Sequence, residues 1–425
     1  MASSRTTRAG VALVAALLLA AVPAWSARGA ALQEESSIGH VFVIVLENKG
    51  FATTFGPNSA APYLSKELAG QGQLLTQYHG IGHVSLGNYI AMVSGQAPNS
   101  KTQSDCQVFL DFDPPRPTID ADGQAVGQGC VFPTSVPTVV DQLEQAGHTW
   151  RGYMEGMGTP CRHPDVDAPD LTQHATVANQ YATRHNPFVY FHSIIDDEAS
   201  CREQVVDLSA LTDDLASDAA TPNVSFISPD LCHDGHDTPC VDGQPGGLVS
   251  ADAFLQQWVP PILASSAFQR DGLLIVTFDE AELGEADSAA ACCGERPGPN
   301  SAAPGLVGPG GGRTGAVVVS RSITPGTVND TPYNHYSLLR TIEDVFGLTH
   351  LGMAAADDLG PFGPDVFNAP PAATASSSAS RSTSEAANPK SRSGVEAGIW
   401  LVIAGAIVAA IAGAGLAARR ARSRR

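Results

Sequence analysis

The chain is poor in basic residues, with 24 Lys and Arg against 43 Asp and Glu in 425 residues. The shortage is sharper between residues 31 and 370, where 13 basic residues face 41 acidic ones. A surface of this sign repels nucleic acid and anionic membranes over long distances, so no nucleic-acid partner is expected. A phosphate-bearing substrate would need a local positive site, which a bound metal ion would supply.

The sequence also lacks internal repeats and paired C-x-x-C spacings, so a thiol-ligated metal site is not expected. The eight cysteines form an even set, which predicts disulfides in an oxidising compartment. Short separations along the chain favour three local pairs: Cys106–Cys130, Cys161–Cys201 and Cys232–Cys240. The adjacent Cys292 and Cys293 are expected to bond to different partners.

Long apolar runs occur near the two ends of the chain. The first, Val11 to Val22, follows two arginines and is typical of a secretory signal peptide. The second, Gly398 to Ala418, has 21 residues without charge and spans roughly 31 Å as a helix, about the thickness of a bilayer core. An arginine-rich tail follows it, which places that tail inside the cell. The predicted organisation is a signal peptide (1–30), an extracellular domain (31–368), a disordered Ser/Ala/Pro-rich stalk (369–396), a transmembrane helix (397–418) and a basic cytoplasmic tail (419–425).

Between these ends, short apolar runs alternate with helical patterns. Runs typical of buried strands lie at 40–46, 224–228, 273–278 and 315–320, and helical patterns lie at Val136–Gln145 and Tyr336–Val345. This alternation predicts a single large α/β domain with a mainly parallel sheet sandwiched by helices. Two Gly- and Pro-rich stretches, 111–130 and 294–313, are predicted to be long surface loops.

Polar side chains follow two of these strand patterns. Glu47 and Asn48 follow the first, and Asp279 and Glu280 follow the third. Ligands bind outside the carboxyl ends of strands in open α/β sheets, so neighbouring strands would bring these residues together. Three carboxylates at one point disfavour ionisation unless a cation balances them, and oxygen ligands suit Ca²⁺, Mg²⁺ or Mn²⁺, with Zn²⁺ possible beside a histidine. The alternative is that polar residues simply close the strands at the surface.

Ser85 lies in the segment Gly82–Tyr89, at a predicted turn before a helix. A serine there presents its hydroxyl at a helix N-terminus, where backbone N–H groups favour anions. Coordination to a metal lowers the pKa of such a hydroxyl and makes it a nucleophile. The alternative is an ordinary helix N-cap.

Three further segments concentrate polar residues, at 184–188, 229–237 and 333–336. Each of their histidines could be a surface residue or a helix cap. Asp234 and His236 stand out, because a D-x-H sequence after a strand, between two cysteines, is unusually dense in ionisable groups.

Together these segments resemble a known family. The stretches that carry the resemblance, in order, are VFVIVLEN, GHVSLGNY, RHNPF, PDLCHDGHD, LLIVTFDE, GGRTGAVVVS and YNHYSLLRTIED. They are similar to those of the bacterial phosphoesterases that include secreted acid phosphatases, phosphatidylinositol-3-phosphatases and phosphocholine-type phospholipases C. The resemblance implies an alkaline-phosphatase-like α/β sandwich.

The resemblance also implies roles for the matching residues. It makes Ser85 the nucleophile, Asn88 a phosphate contact and His335 a histidine near the C-terminal helix. The implied ligands of one divalent metal ion are Glu47, Asn48, Asp279 and Glu280, and the implied lining of the phosphate pocket is His185, Asp234 and His236. One departure is Gly87, where the commoner family form has proline, which loosens the turn before Asn88.

The expected function is that of a membrane-anchored, extracellular, metal-dependent phosphomonoesterase with a phosphoserine intermediate. One of His185, His236 and His335 is expected to protonate the leaving group, with Asp234 orienting its neighbour. The substrate is a phosphate ester, and phospholipids and phosphoinositides are among the candidates. The alternatives are a phospholipase C-type phosphodiesterase on the same scaffold and a non-catalytic, metal-stabilised surface protein.

Overall fold

A computed structural model of the chain describes residues 38–369. Its centre is an eight-stranded sheet. The strands are β1 (His40–Leu46), β2 (Gln73–Leu75), β6 (Trp150–Met154), β7 (Val205–Asp207), β8 (Val224–Ser228), β9 (Gly272–Phe278), β10 (Ala316–Ser320) and β11 (Thr327–Asn329). Their order across the sheet is β11-β2-β10-β9-β1-β8-β6-β7. Seven of them run in one direction and β10 runs against them, so the predicted mainly parallel sheet is confirmed.

Helices cover both faces of this sheet. The side chains of the central strand β1 therefore alternate between two hydrophobic cores, one on each face. Val41, Val43 and Val45 of β1 belong to one hydrophobic core, and Phe42 and Ile44 belong to the other. The helices are α1 (Phe51–Phe55), α2 (Ala69–Gln71), α3 (Ser85–Ser94), α4 (Val139–Ala146), α5 (His192–Ile195), α6 (Glu198–Gln204), α7 (Leu211–Asp214), α8 (Gly247–Ala264), α9 (Ser266–Asp271) and α10 (His335–Phe346).

Shorter helical turns and two small sheets complete the body. A π-helical turn spans Tyr63–Leu68, and 3₁₀ turns span Thr102–Ser104, Thr183–His185, Pro187–Tyr190, Leu208–Ala210 and Gly352–Ala355. The small sheets pair β3 (Tyr78–His79) with β12 (Tyr333–Asn334), and β4 (Asp113–Ile119) with β5 (Ala125–Gln128). The second pair corrects the prediction of a long surface loop at 111–130, because these residues include an antiparallel hairpin.

Helices α3 and α10 carry residues of the predicted site, and both have local end signals. Asn334 caps α10 by accepting a hydrogen bond from the backbone N–H of Ser337, and Gly347 ends the helix in the left-handed conformation. Gly95 ends α3 in the same way, and every residue of α3 is buried. The two helices pack on the same face of the sheet, where Tyr89 and Leu339 share one core.

Four disulfides are present. The three predicted local pairs are confirmed: Cys106–Cys130, Cys161–Cys201 and Cys232–Cys240. The prediction for Cys292 and Cys293 is wrong, because these neighbours bond to each other. The other six cysteines pair among themselves, and the Cα atoms of this adjacent pair lie only 3.7 Å apart.

Residues 38–369 contain no helix that is both long enough and apolar enough to cross a membrane. The predicted signal peptide (1–30), the transmembrane segment (397–418), the basic tail (419–425) and the stalk beyond residue 369 lie outside the described residues.

Candidate active site

The two strands whose ends carry acidic residues are neighbours. β1 pairs in parallel with β9, and Leu46 lies opposite Phe278. Glu47 and Asp279 therefore leave the sheet side by side, and both are fully buried. Asn48, in the left-handed conformation at φ 55°, donates its backbone N–H to Oδ1 of Asp279 at 3.0 Å. The backbone thus brings together the two strand ends identified in the sequence.

Ser85 lies against this pair. It is the first residue of α3, and its hydroxyl donates a 2.8 Å hydrogen bond to Oε2 of Glu47. The N-cap of α3 is Val84, which makes no side-chain cap, so Ser85 is not the helix cap that the alternative interpretation required. The buried hydroxyl instead points from the start of the helix to a buried carboxylate.

Tyr89 holds the other oxygen of Glu47, and His185 lies beside it. The Tyr89 hydroxyl donates to Oε1 of Glu47 at 2.8 Å, and Nε2 of His185 lies 3.3 Å from the same atom. The two rings stack, with centroids 5.3 Å apart. Sequence reasoning missed Tyr89, although its position four residues after Ser85 puts both side chains on one face of the helix.

Asp234 lies on the far side of His185. Its Oδ2 is 3.3 Å from Nδ1 of His185, and its Oδ1 accepts a 2.7 Å hydrogen bond from the backbone N–H of His236. The loop after β8 reaches the site because the carbonyl of Asp234 accepts the backbone N–H of Glu47 at 2.8 Å. His185 therefore lies between two buried carboxylates, and neither of its ring nitrogens has a hydrogen-bond partner among the described residues.

The imidazoles of His236 and His335 lie in different surroundings. The His236 side chain is 41% exposed, and its Nδ1 lies 2.8 Å from Oδ1 of Asp237. His335 is fully buried, with Nδ1 3.0 Å from the hydroxyl of Tyr78 and Nε2 2.5 Å from the backbone carbonyl oxygen of Asp279. Burial lowers the pKa of His335 to about 4. His335 thus contacts the backbone of Asp279, while the side chain of His236 is exposed to solvent.

Glu280 and Asn88 form a second group of polar contacts, beside the group around Glu47. The amide oxygen of Asn88 accepts the backbone N–H groups of Ile81 and Gly82, and its nitrogen donates to Oε2 of Glu280 at 3.1 Å. Oε1 of Glu280 lies 2.9 Å from Nδ1 of His83. The observed contacts of Asn88 order the turn before Ser85, and its predicted phosphate contact stays a prediction.

Four carboxylates are buried in this region with little compensating charge. Burial raises the pKa of Glu47 well above its usual range, and the charges of Asp279 and Asp234 raise it further. Burial raises the pKa of Asp279 to about 7, although the hydrogen bond from the backbone N–H of Asn48 opposes the rise. Burial and Asp279 also raise the pKa of the Glu280 carboxyl.

Arg184 supplies the nearby positive charge. This buried side chain lies with Nε 3.5 Å from Oδ2 of Asp105 and lowers the pKa of both Glu47 and Asp234. Asp105 in turn accepts the backbone N–H of Leu86 in the first turn of α3. One arginine does not balance four carboxylates.

The oxygen atoms near Ser85 fit a metal ion. Oδ2 of Asp279 is buried and has no hydrogen-bond partner among the described residues. Glu47, Asn48, Asp279 and Ser85 offer only oxygen donors toward a cation, as hard divalent ions prefer. The observation that carries this fit is the unpaired Asp279 oxygen.

Within residues 38–369, two groups other than the predicted metal ligands have ligating atoms close enough together to hold an ion. The groups whose ligating atoms all lie within 4.8 Å are Glu155–Asp230–His233 and Cys232–Cys240–Asp242. The two cysteines of the second group are bonded to each other, and His233 in the first already lies 3.0 to 3.2 Å from both carboxylates. In the predicted set, the Glu280 carboxylate contacts Asn88 and His83.

Comparison with known proteins shows the family of this chain. Residues 57–349 match the Phosphoesterase family. The chain belongs to this family. The matched range contains Ser85, His185, Asp234, Asp279 and His335, and Glu47 lies ten residues before it.

Relatives with assigned names include phosphatases. The chain is 27% identical to an acid phosphatase of Aspergillus fumigatus over 75% of this chain and 57% of that protein. It is 28% identical to a phosphate-repressible acid phosphatase of Penicillium chrysogenum over 73% and 59% of the two chains. It is 26% identical to a phosphatidylinositol-3-phosphatase of Mycobacterium tuberculosis over 80% and 88%. The chain therefore spans less than two thirds of the two fungal relatives.

Solved structures show a more distant similarity. An alkaline phosphatase superfamily protein from Vibrio parahaemolyticus aligns with a TM-score of 0.43 and 14% identity, over 78% of this chain and 72% of that one. Because this TM-score is low, the family assignment comes from the sequence match.

Proposed function

We propose that this protein is a phosphatase that hydrolyses phosphate monoesters through a serine nucleophile and a phosphoserine intermediate. The observation that carries the proposal is the 2.8 Å hydrogen bond from Ser85 Oγ to Glu47 beside the unpaired oxygen of Asp279. Family membership and the names of the relatives support the phosphoric ester as substrate.

A divalent metal ion would be held by Glu47, Asn48, Asp279 and Ser85, with Glu280 completing the set. When bound, the ion lowers the pKa of the serine hydroxyl and neutralises charge on the phosphoryl oxygens. Oxygen ligation suits Ca²⁺, Mg²⁺ or Mn²⁺, and the nearby His185 leaves Zn²⁺ as an alternative.

In the first step, Ser85 Oγ forms a bond to phosphorus while the bond from phosphorus to the ester oxygen breaks. The hydroxyl proton leaves along the hydrogen bond to Glu47. Tyr89 fixes the position of that carboxylate, and the ring of His185 lies beside it. His236 is the best candidate to protonate the leaving oxygen, because it is the histidine of this group that reaches solvent.

In the second step, water attacks phosphorus and the bond from phosphorus to Ser85 Oγ breaks. His236, which has given up its proton, accepts one from the water. The serine oxygen takes a proton back and phosphate leaves. Asp234 orients His236 through its backbone N–H and lies beside His185 through its other oxygen.

Replacement of the serine tests this mechanism. Ser85→Ala should lower kcat for p-nitrophenyl phosphate by at least about 10³-fold. Ser94→Ala is a matched control, since Ser94 ends the same helix and its hydroxyl donates only to the carbonyl of Ile90. Full activity in Ser85→Ala would overturn the assignment. Addition of EDTA and then of single metals to the wild type tests metal dependence separately.

The Mycobacterium tuberculosis relative makes phosphoinositides a substrate class to test. Parallel assays with p-nitrophenyl phosphate, phosphatidylinositol 3-phosphate and phosphatidylcholine separate a soluble monoester, a lipid monoester and the phosphodiester of the phospholipase C alternative. No turnover of any of them with any metal would favour the non-catalytic surface protein.

The disulfides support an extracellular or secreted location. Single-pass anchoring by residues 397–418 rests on their apolar sequence and the following arginines. Cell fractionation, with protease treatment of intact cells, tests both the anchoring and the orientation.

A further inference from the structure

Asp105 holds the backbone next to the proposed nucleophile. Its Oδ1 accepts a 3.0 Å hydrogen bond from the backbone N–H of Leu86, the residue that follows Ser85. This N–H lies in the first turn of α3, where the backbone N–H groups have no partner within the helix. The N-cap residue Val84 makes no side-chain bond to this turn, and Asp105, 19 residues after Leu86, makes one instead.

The contact with Leu86 also restricts Ser85. The peptide group between Ser85 and Leu86 is planar, so a hydrogen bond to its N–H fixes the direction in which the chain leaves Ser85. On its other side, the Ser85 hydroxyl donates to Oε2 of Glu47 at 2.8 Å. Gly87, in the same turn, has more backbone freedom than the proline of the commoner family form. An external contact therefore matters more for keeping this turn in place.

Asp105 is itself fixed from several directions. Its backbone carbonyl accepts the side-chain amide of Gln173 at 2.9 Å, and its Oδ2 lies 3.5 Å from Nε of the buried Arg184. Its neighbour Cys106 is bonded to Cys130. The carboxylate can therefore hold α3 at a defined point.

Electrostatic effects connect Asp105 with the residues of the site. Burial raises the pKa of Asp279 and of Glu280, and the charge of Asp105 raises both further. Burial raises the pKa of Asp105 as well, while Arg184 and His236 lower it. Asp105 therefore lies close to the site, although none of the steps proposed above uses it.

We propose that Asp105 is a positioning residue that fixes Ser85 Oγ for attack on phosphorus through its hydrogen bond to the N–H of Leu86. The inference rests on the proposed serine nucleophile. A displacement of about 1 Å at a reacting atom can lower the rate about 100-fold, so loss of this bond should reduce turnover without weakening phosphate binding.

The competing explanation is that Asp105 only stabilises α3, as a helix cap does. Asp105 adopts the left-handed conformation at φ 51°, which asparagine and glycine also tolerate, so substitution by either adds little backbone strain. Asp105→Asn keeps an oxygen that can accept from Leu86, and Asp105→Gly removes it. Asp197→Gly is the matched control, because Asp197 caps α6 by accepting the backbone N–H of Ser200 at 3.2 Å.

The measurements on the full-length protein are kcat and KM for p-nitrophenyl phosphate and Ki for inorganic phosphate, with kcat corrected for the folded fraction from circular dichroism. We expect Asp105→Gly to lower kcat by roughly 10- to 100-fold and to change KM and Ki by less than about threefold. Asp105→Asn and Asp197→Gly should both keep kcat within about threefold of the wild type.

Three results would overturn the inference. Unchanged kcat in Asp105→Gly would leave Asp105 with a role in stability alone. An equal loss of kcat in Asp105→Asn would assign the effect to the charge of Asp105 rather than to its hydrogen bond. Raised KM and Ki with unchanged kcat would assign Asp105 to phosphate binding.

Asp105→Ala removes the acceptor in a second way and decides the question if Asp105→Gly does not fold. Glycine frees the backbone and alanine restricts it, so a loss of kcat shared by both variants comes from the missing carboxylate. A wild type without turnover of any phosphate ester would overturn the proposed function itself, and that result is recognised before any variant is compared. Full activity in Ser85→Ala would remove the nucleophile on which the inference rests.

Discussion

The hydroxyl of Tyr89 donates a 2.8 Å hydrogen bond to Oε1 of Glu47. The other oxygen of that carboxylate accepts the hydroxyl of Ser85, so one helix presents both groups to a single acid. Their four-residue spacing places them one turn apart. The carboxylate is thereby fixed by the same element that carries the proposed nucleophile.

Loss of this bond should affect turnover more than substrate binding. In Tyr89→Phe, Oε1 of Glu47 keeps only the contact with His185, and we expect kcat for p-nitrophenyl phosphate to fall about 10-fold with little change in KM. Tyr153→Phe is the control, since it removes a hydroxyl from another buried pair, with Asp214. A change in KM alone would assign Tyr89 to substrate binding.

The assignment of His236 as general acid predicts a dependence on the leaving group. Alkoxide leaving groups need a proton far more than p-nitrophenolate does, because they are much stronger bases. His236→Asn should therefore lower kcat for β-glycerophosphate by about 10²-fold or more and change kcat for p-nitrophenyl phosphate by less than about 10-fold.

His192→Asn is the control for this experiment, because His192 also lies beside an aspartate, 2.8 Å from Asp196, on the surface. Equal losses on both substrates would assign His236 to binding or positioning. A leaving-group effect in His185→Asn instead would move the acid role to the buried histidine.

Glu343 gives a prediction for stability that does not involve the site. It lies in α10 and is fully buried, with Oε1 accepting the backbone N–H of Leu351, while Oε2 has no hydrogen-bond partner among the described residues. Burial raises its pKa from 4.5 to about 9. The folded protein therefore keeps a proton that the unfolded chain releases above pH 4.5.

Stability should fall as pH rises from about 4.5 toward 9, by up to about 1.4 kcal/mol per pH unit from this group alone. Glu343→Gln removes the ionisation and can still accept from Leu351, so its advantage over the wild type should grow with pH. Urea unfolding at pH 5, 7 and 9 measures the difference. Parallel curves for the two proteins would show that Glu343 does not titrate in this range.

The sequence predicted the central strands well, because buried parallel strands are continuous apolar runs rich in β-branched residues. The run at 40–46 coincides with β1, and the run at 224–228 coincides with β8. The three-residue edge strand β7 was not predicted, since so short a segment has no detectable periodicity. The hairpin within 111–130 was missed because prolines dominate β4 and usually mark loops.

For the candidate site, the sequence indicated which strand ends carry the acidic residues. It did not indicate the directions of all the side chains. Glu47 and Asp279 follow strands and could be paired from the sequence. Glu280 follows directly after Asp279, but its carboxylate contacts His83 and Asn88, which the sequence did not indicate. The contacts of His83 depend on how a distant loop returns to the turn before Ser85, which no local pattern encodes.

The bond between Cys292 and Cys293 predicts an unequal effect of disulfide removal. In the chain-entropy account, a disulfide stabilises by restricting the unfolded chain, and the effect grows with the length of the closed loop. Adjacent residues close almost no loop, whereas Cys106 and Cys130 are separated by 24 residues. Replacing both cysteines of the longer pair with alanine should lower the free energy of unfolding by about 3 kcal/mol. The same replacement at the adjacent pair should lower it by less than about 1 kcal/mol. Denaturant unfolding under non-reducing conditions measures both values, and a large loss from the adjacent pair would show that it instead stabilises the folded loop after β9.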